Sequence, residues 1–122
     1  MRAMLMIKGD PQPGATPGEE LLDEMARYND GLSSAGVLLD VAGLLPSASG
    51  VRVTVSGQTH AVVAGPFPDS KHLVAGYWIL QVGSMDEAVE WAERFPFEAF
   101  SRIYPGEYGA EVEIEVRQVY EA

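Results

Sequence analysis

Residues 61–82 read AVVAGPFPDSKHLVAGYWILQV, two apolar stretches flanking a polar loop broken by proline and glycine. Proline fixes φ and glycine permits φ > 0, so Gly65, Pro66 and Pro68 hold Phe67, Asp69, Ser70, Lys71 and His72 in a turn that neither helix nor sheet can continue. Loops with such restricted backbones often carry sites. Beyond the loop, Gly76 to Val82 alternates Tyr77, Ile79 and Gln81 with Trp78, Leu80 and Val82, a strand apolar on both faces and therefore central. Before it, Val51, Val53 and Val55 alternate with Arg52, Thr54 and Ser56 as in a half-buried strand, and Gly57-Gln58 can turn that strand into a hairpin with His60 to Ala64.

Working outward, Ala3 to Lys8 is a short apolar run ended by Gly9-Asp10-Pro11, which reads as a buried strand and its terminating turn. After a loop over Gln12 to Ala15, Thr16-Pro17-Gly18-Glu19 offers an N-cap, a first-turn proline and a capping glutamate. Leu21, Leu22, Met25, Tyr28 and Leu32 then recur on one helical face, and Gly36 is placed to end the helix. Val37 to Val41 is a strand carrying Asp40, and Gly43 to Gly50 leads into a surface loop. Ser84 and Glu87 form a capping box for a second helix whose stripe is Ala88, Trp91, Ala92 and Phe95, stopped by Pro96. Phe97 to Gly109, rich in aromatics with Pro105 and two glycines, reads as irregular. Val112, Ile114 and Val116 alternate with Glu111, Glu113, Glu115 and Arg117 in a closing strand.

Strand, helix, strand, hairpin, strand, helix, strand is an α+β pattern. It predicts two helices on one face of a mainly antiparallel sheet, close to the ferredoxin-like arrangement, in one domain over residues 1–122. The other sheet face is left without cover, which points to a homodimer whose sheets face each other.

The motif AGPFPDSKH followed by Gly76-Tyr77-Trp78 resembles the YCII-related proteins, in the branch named for its Asp-Gly-Pro-Phe motif. Gly36 to Leu39 with Gly43-Leu44, the segment SMDEAVEW, and Glu115-Val116-Arg117 follow in that family's order, so the resemblance spans about Met1 to Val119. It implies a dimeric α+β barrel. This chain departs from the family string at Ala64, which stands for the leading Asp, at Asp69 and Ser70 for Glu and Thr, at His72 for Glu, and at Gln118 for a Pro. A His-Asp pair used by some family members, with its His in the first helix, is not carried over, because Pro17 to Ala35 holds no histidine.

A net charge of −10, from 18 acids and 8 bases, repels phosphate backbones and argues against nucleic acid and anionic membranes as partners. No run approaches the roughly 18 apolar residues of a membrane span, and the N-terminus is charged too early for a signal peptide. With no cysteine the chain has no thiol chemistry and fits a cytoplasmic protein. His60 and His72 each lack a second ligand at metal spacing, so no metal site is expected, and no phosphate loop, nucleophile elbow or dinucleotide fingerprint implies a cofactor.

The candidate ligand-binding residues are Asp69, Ser70, Lys71 and His72 in the loop, Tyr77 on the central strand, and Glu115 and Arg117 on the last. The loop offers an acid, a hydroxyl, an amine and an imidazole for anion binding or proton movement, set against an ordinary polar turn. Glu115 and Arg117 share a strand face, where Arg presents its donor fork either to a ligand carboxylate or to an acid on the neighbouring strand as a structural ion pair. The functional expectation is a small anionic or aromatic molecule held in an intersubunit pocket, with proton-transfer or lyase-like chemistry as its possible use. The alternative, which the resemblance also implies, is a non-catalytic accessory or regulatory module of the sigma-factor-associated type.

Overall fold

A computed structural model describes residues 1–11, 18–103 and 111–122. The order is β1 (Arg2–Lys8), α1 (Glu19–Ser34), β2 (Leu38–Gly43), β3 (Val51–Ser56), β4 (Thr59–Ala64), β5 (Val74–Gln81), α2 (Met85–Glu93), α3 (Phe97–Ile103) and β6 (Glu113–Gln118). Four strands form one sheet in the order β2-β5-β1-β6, every neighbouring pair antiparallel. With the hairpin set aside, this is the strand order of the ferredoxin-like fold, as the element pattern predicts. The sheet of one chain is open and is not a closed barrel.

Alternation along β1 and β5 decides what is buried. Ala3, Leu5 and Ile7 point to one side with Trp78 and Leu80, where they form the core with Leu21, Tyr28 and Leu32 of α1, and Ala88 and Ala92 of α2. Tyr28, Trp78 and Phe95 meet edge to face, with ring centroids 5.4 to 5.7 Å apart, an arrangement that adds about 0.5–1.5 kcal/mol per pair beyond area burial. The Tyr28 hydroxyl donates to the Trp91 carbonyl at 2.8 Å, so its buried polar tip is satisfied.

The ends of the helices follow local chemistry. Gly36 takes φ +74° after α1, and the amides of Gly36 and Val37 donate back to the carbonyls of Ser33 and Leu32, a Schellman ending that positive φ makes possible. The Ser84 hydroxyl accepts from the Glu87 amide at 3.2 Å, while the Glu87 carboxylate accepts from the Gly83 amide, one residue before the usual capping-box partner. Helix α1 begins at Glu19 with Gly18 as N-cap and no side-chain cap bond. The expected loop over Gln12 to Ala15 and the Thr16-Pro17 start lie outside the described residues, as does Tyr104 to Ala110.

Three expectations need correcting. Phe97–Ile103, expected to be irregular, is a helix with Ala99 and Phe100 buried. Pro96 ends α2 and also accepts the Phe100 amide on its carbonyl, because a residue with fixed φ and no N–H suits the start of a helix as well as its end. The helix layer therefore has three members. Leu22, placed with the core residues of α1, is 56% exposed, since it sits at the margin of the apolar stripe. The β3–β4 hairpin, expected to be half-buried, forms a separate two-stranded sheet in which every residue is exposed. Its period-two pattern is real, but nothing in the described chain packs on the valine side. No described helix is long and apolar enough to cross a membrane.

Candidate functional site

The alternation that buries Trp78 turns Tyr77 to the uncovered face of the sheet. There Met6 lies between Tyr77 and Glu115, and Met4 between Ile79 and Arg117. Tyr77, Glu115 and Arg117 thus share one face, of which spacing predicts only the pair Glu115 and Arg117. Glu115 is engaged on both oxygens, by Arg117 at 3.2 Å and Lys8 at 3.5 Å. The Arg117 hydrogen bond, and after it the charge of Lys8, holds the Glu115 carboxyl below the usual range. Arg117 is accordingly ion-paired with Glu115 of its own strand, rather than with the expected acid on the neighbouring strand.

The polar loop is elsewhere. Asp69 leads into a single 3₁₀ turn over Ser70–His72, with the His72 amide donating to the Asp69 carbonyl at 2.8 Å. Asp69, Ser70, Lys71 and His72 are all exposed. Among the described residues no hydrogen bond or ion pair joins them to Tyr77, Glu115 or Arg117, so the structure does not assemble the seven candidates into one cluster.

Tyr77 has a different partner. Its hydroxyl donates to Asp40 Oδ2 at 3.3 Å, across the β2–β5 edge. The Asp40 charge, then burial, then the hydrogen bond raise the Tyr77 phenol above its ordinary value. A group with a raised folded pKa stabilises the fold fully below its unfolded value of about 10 and loses that contribution as pH climbs through the folded value. In alkaline titration of tyrosinate absorbance, the Tyr77→Phe difference should isolate a phenol that ionises late, and Asp40→Asn should bring its midpoint back down. An unchanged midpoint in Asp40→Asn would show that the carboxylate does not govern it.

The Gly65-Pro66-Phe67 motif acts as a structural clamp. An alanine Cβ at Gly65 would lie 1.8 Å from the Ser47 carbonyl oxygen, so only glycine admits this approach. The Gly65–Pro66 peptide is cis, and the Gly65 amide donates to the Gly50 carbonyl at 2.9 Å. Ser47 in turn donates its amide and hydroxyl to the two oxygens of Asp10, at 2.7 and 2.5 Å, and its Oγ accepts the Phe67 amide at 3.0 Å. Asp10, Ser47 and Phe67 tie the exits of β1 and β2 to the motif. Sequence reading treated Asp10 as part of a turn, and its separation from Ser47 along the chain leaves no periodic signal.

On the helix side of the sheet lies a cavity of about 440 Å³ between α1 and the β2 edge. Leu21, Leu22 and Met25 form one wall, Val41 and Leu44 the other, and Trp78 lines it from β5. The exposure of Leu22 is explained by this cleft. Asn29 also lines it, and its Oδ1 accepts the Trp78 indole N–H at 2.8 Å. Since indole is a donor only, the Asn29 oxygen must face Trp78, which leaves the Asn29 NH₂ as a donor without a partner among the described residues. Sequence reasoning named neither Asn29 nor Met25 as site residues. The signal available was an amide beside Tyr28 on the apolar side of α1.

The family model described as YCII-related domain matches residues 1–104. An uncharacterised protein of Rhizobium meliloti (strain 1021) is 27% identical over 74 residues, covering 61% of this chain and 60% of the relative. The chain thus spans less than two thirds of the length of that curated relative.

Proposed function

On the premise that the chain belongs to the YCII-related family, we propose that it binds a compact, largely apolar or aromatic molecule bearing one hydrogen-bond-accepting group. The cleft between α1 and the β2 edge is the place for it, within one chain. The single observation that carries the reading is the apolar cavity of about 440 Å³ lined by Asn29, whose oxygen is already engaged by Trp78. That volume falls within the range of about 300–1,000 Å³ typical of small-molecule sites, which combine apolar walls with a few placed polar groups. Among the described lining residues there is no carboxylate, imidazole or amine. Binding is therefore better supported than acid–base chemistry, and the loop of Asp69 to His72 is left as a polar turn.

We read the uncovered sheet face as the surface that a second copy covers. Met4, Met6, Tyr77 and Ile79 form its half-exposed apolar centre, ringed by Arg2, Lys8, Glu115 and Arg117. Apolar surface of this kind is commonly closed by a two-fold partner.

Calorimetric titration with acetophenone, an aromatic ketone, against toluene, its analogue without an acceptor, tests the cleft. Saturable binding of both is expected, tighter for acetophenone. Met25→Glu should abolish it by placing a charge on the apolar wall. Asn29→Asp keeps an acceptor for Trp78 but replaces the donor with a charge, so it should weaken both ligands, acetophenone by roughly 10-fold more than toluene. Absence of saturable heat at millimolar ligand, or binding indifferent to Met25→Glu, would remove the cleft as the site.

A further inference from the structure

A two-stranded ribbon attached to a globular body ordinarily buries its apolar side, and the β3–β4 hairpin leaves both of its sides exposed. Its register pairs Val51 with Ala64, Val53 with Val62 and Val55 with His60 on one side. Arg52 with Val63, Thr54 with Ala61 and Ser56 with Thr59 fall on the other, because directly opposed residues share a side and successive residues alternate. The Arg52 guanidinium lies 4.1 Å over the Phe67 ring, so the mixed side is turned at its root toward the clamp. The valine side is left uncovered by its own chain, and the mixed side is held to it only at Arg52. Val51, Val53, Val55 and Val62 are 59 to 68% exposed.

We propose that this valine side is a self-association surface seated on a second copy of the chain. The inference rests on the two-copy assembly proposed above and adds a second contact to it. Three physical arguments select this occupant. An isolated two-stranded hairpin is marginal in water and needs apolar cover to be stable. The chain carries a charge of −10, so two copies approach best over surface free of like charges, and the valine side holds no Asp, Glu, Lys or Arg. The same net charge disfavours an anionic lipid surface, another natural cover for an apolar patch.

Area gives the third argument. The open face of four strands has a footprint on the order of 400 Å², from strand spacing and typical strand length. A stable dimer buries about 800 Å² per partner. The hairpin side adds roughly 200 Å² by the same geometry and moves the total toward that requirement.

Sedimentation velocity from micromolar to submillimolar protein tests this, with circular dichroism confirming that each variant is folded. Wild type is expected to dimerise. Val53→Asp with Val62→Asp should weaken the dimer by about 100-fold or more, and Val53→Thr with Val62→Thr, which keeps strand propensity, by about 10-fold. Thr54→Asp with Thr59→Asp, on the mixed side, should leave it nearly unchanged. Valine-side variants that dimerise like wild type, while Ile79→Asp abolishes assembly, would overturn this inference and leave the sheet-face dimer standing. A wild type that stays monomeric throughout would overturn both. Vesicle flotation that is lost in the same valine variants would assign the surface to lipid and overturn the inference as well.

Discussion

Gly65→Ala is expected to destabilise the fold by about 3 kcal/mol or more, enough to unfold a marginal domain at ambient temperature. The added Cβ would stand 1.8 Å from the Ser47 oxygen and 2.7 Å from its carbonyl carbon, both backbone atoms that cannot rotate away. To make room, Ser47 must move, and Ser47 carries the bonds to Asp10 and Phe67. The damage therefore spreads from one methyl group to the connection between two strands and the hairpin. Gly31→Ala on α1 is the matched control, with nothing within 4 Å of its Cβ, and should be neutral or stabilise by up to about 1 kcal/mol through helix propensity. Urea unfolding of the pair gives the comparison. Equal midpoints for Gly65→Ala and wild type would mean that the motif glycine has no clamping role.

Trp78→Ala should cost about 3–5 kcal/mol, the range for removing a large aromatic from a packed core. Trp78 is 2% exposed, packs edge-on against Tyr28 and Phe95, and supplies the indole donor to Asn29. Trp78→Phe separates these contributions. It keeps most of the packing but leaves Asn29 Oδ1 without its donor, so a smaller loss of about 1–3 kcal/mol is expected. The two variants also differ in the cleft, where Trp78→Ala enlarges the cavity and Trp78→Phe mainly frees Asn29 to turn. Ligand affinity that falls in both, and stability that falls most in Trp78→Ala, is the expected pattern. A urea midpoint for Trp78→Ala equal to that of wild type would contradict the placement of this ring at the centre of the core.

Part of the candidate site is legible in the sequence. Period-two alternation placed Tyr77 opposite to Trp78, and the same rule put Glu115 and Arg117 together on the sheet. The partner of Arg117 was not foreseen: a ligand or an acid on the neighbouring strand was expected, and the guanidinium meets Glu115 of its own strand. The cleft was not legible. Its donor, Asn29, and its wall, Met25 and Leu22, read as an ordinary apolar helix side with one amide, and the gap that makes them a cavity arises from how far α1 sits from the β2 edge.

Most of the elements, though not α3, follow from signals local to the chain. The Ser84–Glu87 cap, the Gly36 ending and the alternation of β1, β5 and β6 act within a few residues, where hydrogen bonding and side-chain direction are settled by the chain's own geometry. Packing of distant segments instead brings Ser47 onto Asp10, sets the hairpin apart with both sides uncovered, and joins Tyr77 to Asp40 while the loop of Lys71 and His72 meets neither. Each of these is a meeting of groups distant in sequence. Alternation specifies that a strand has two sides, but which side is covered depends on what else packs there.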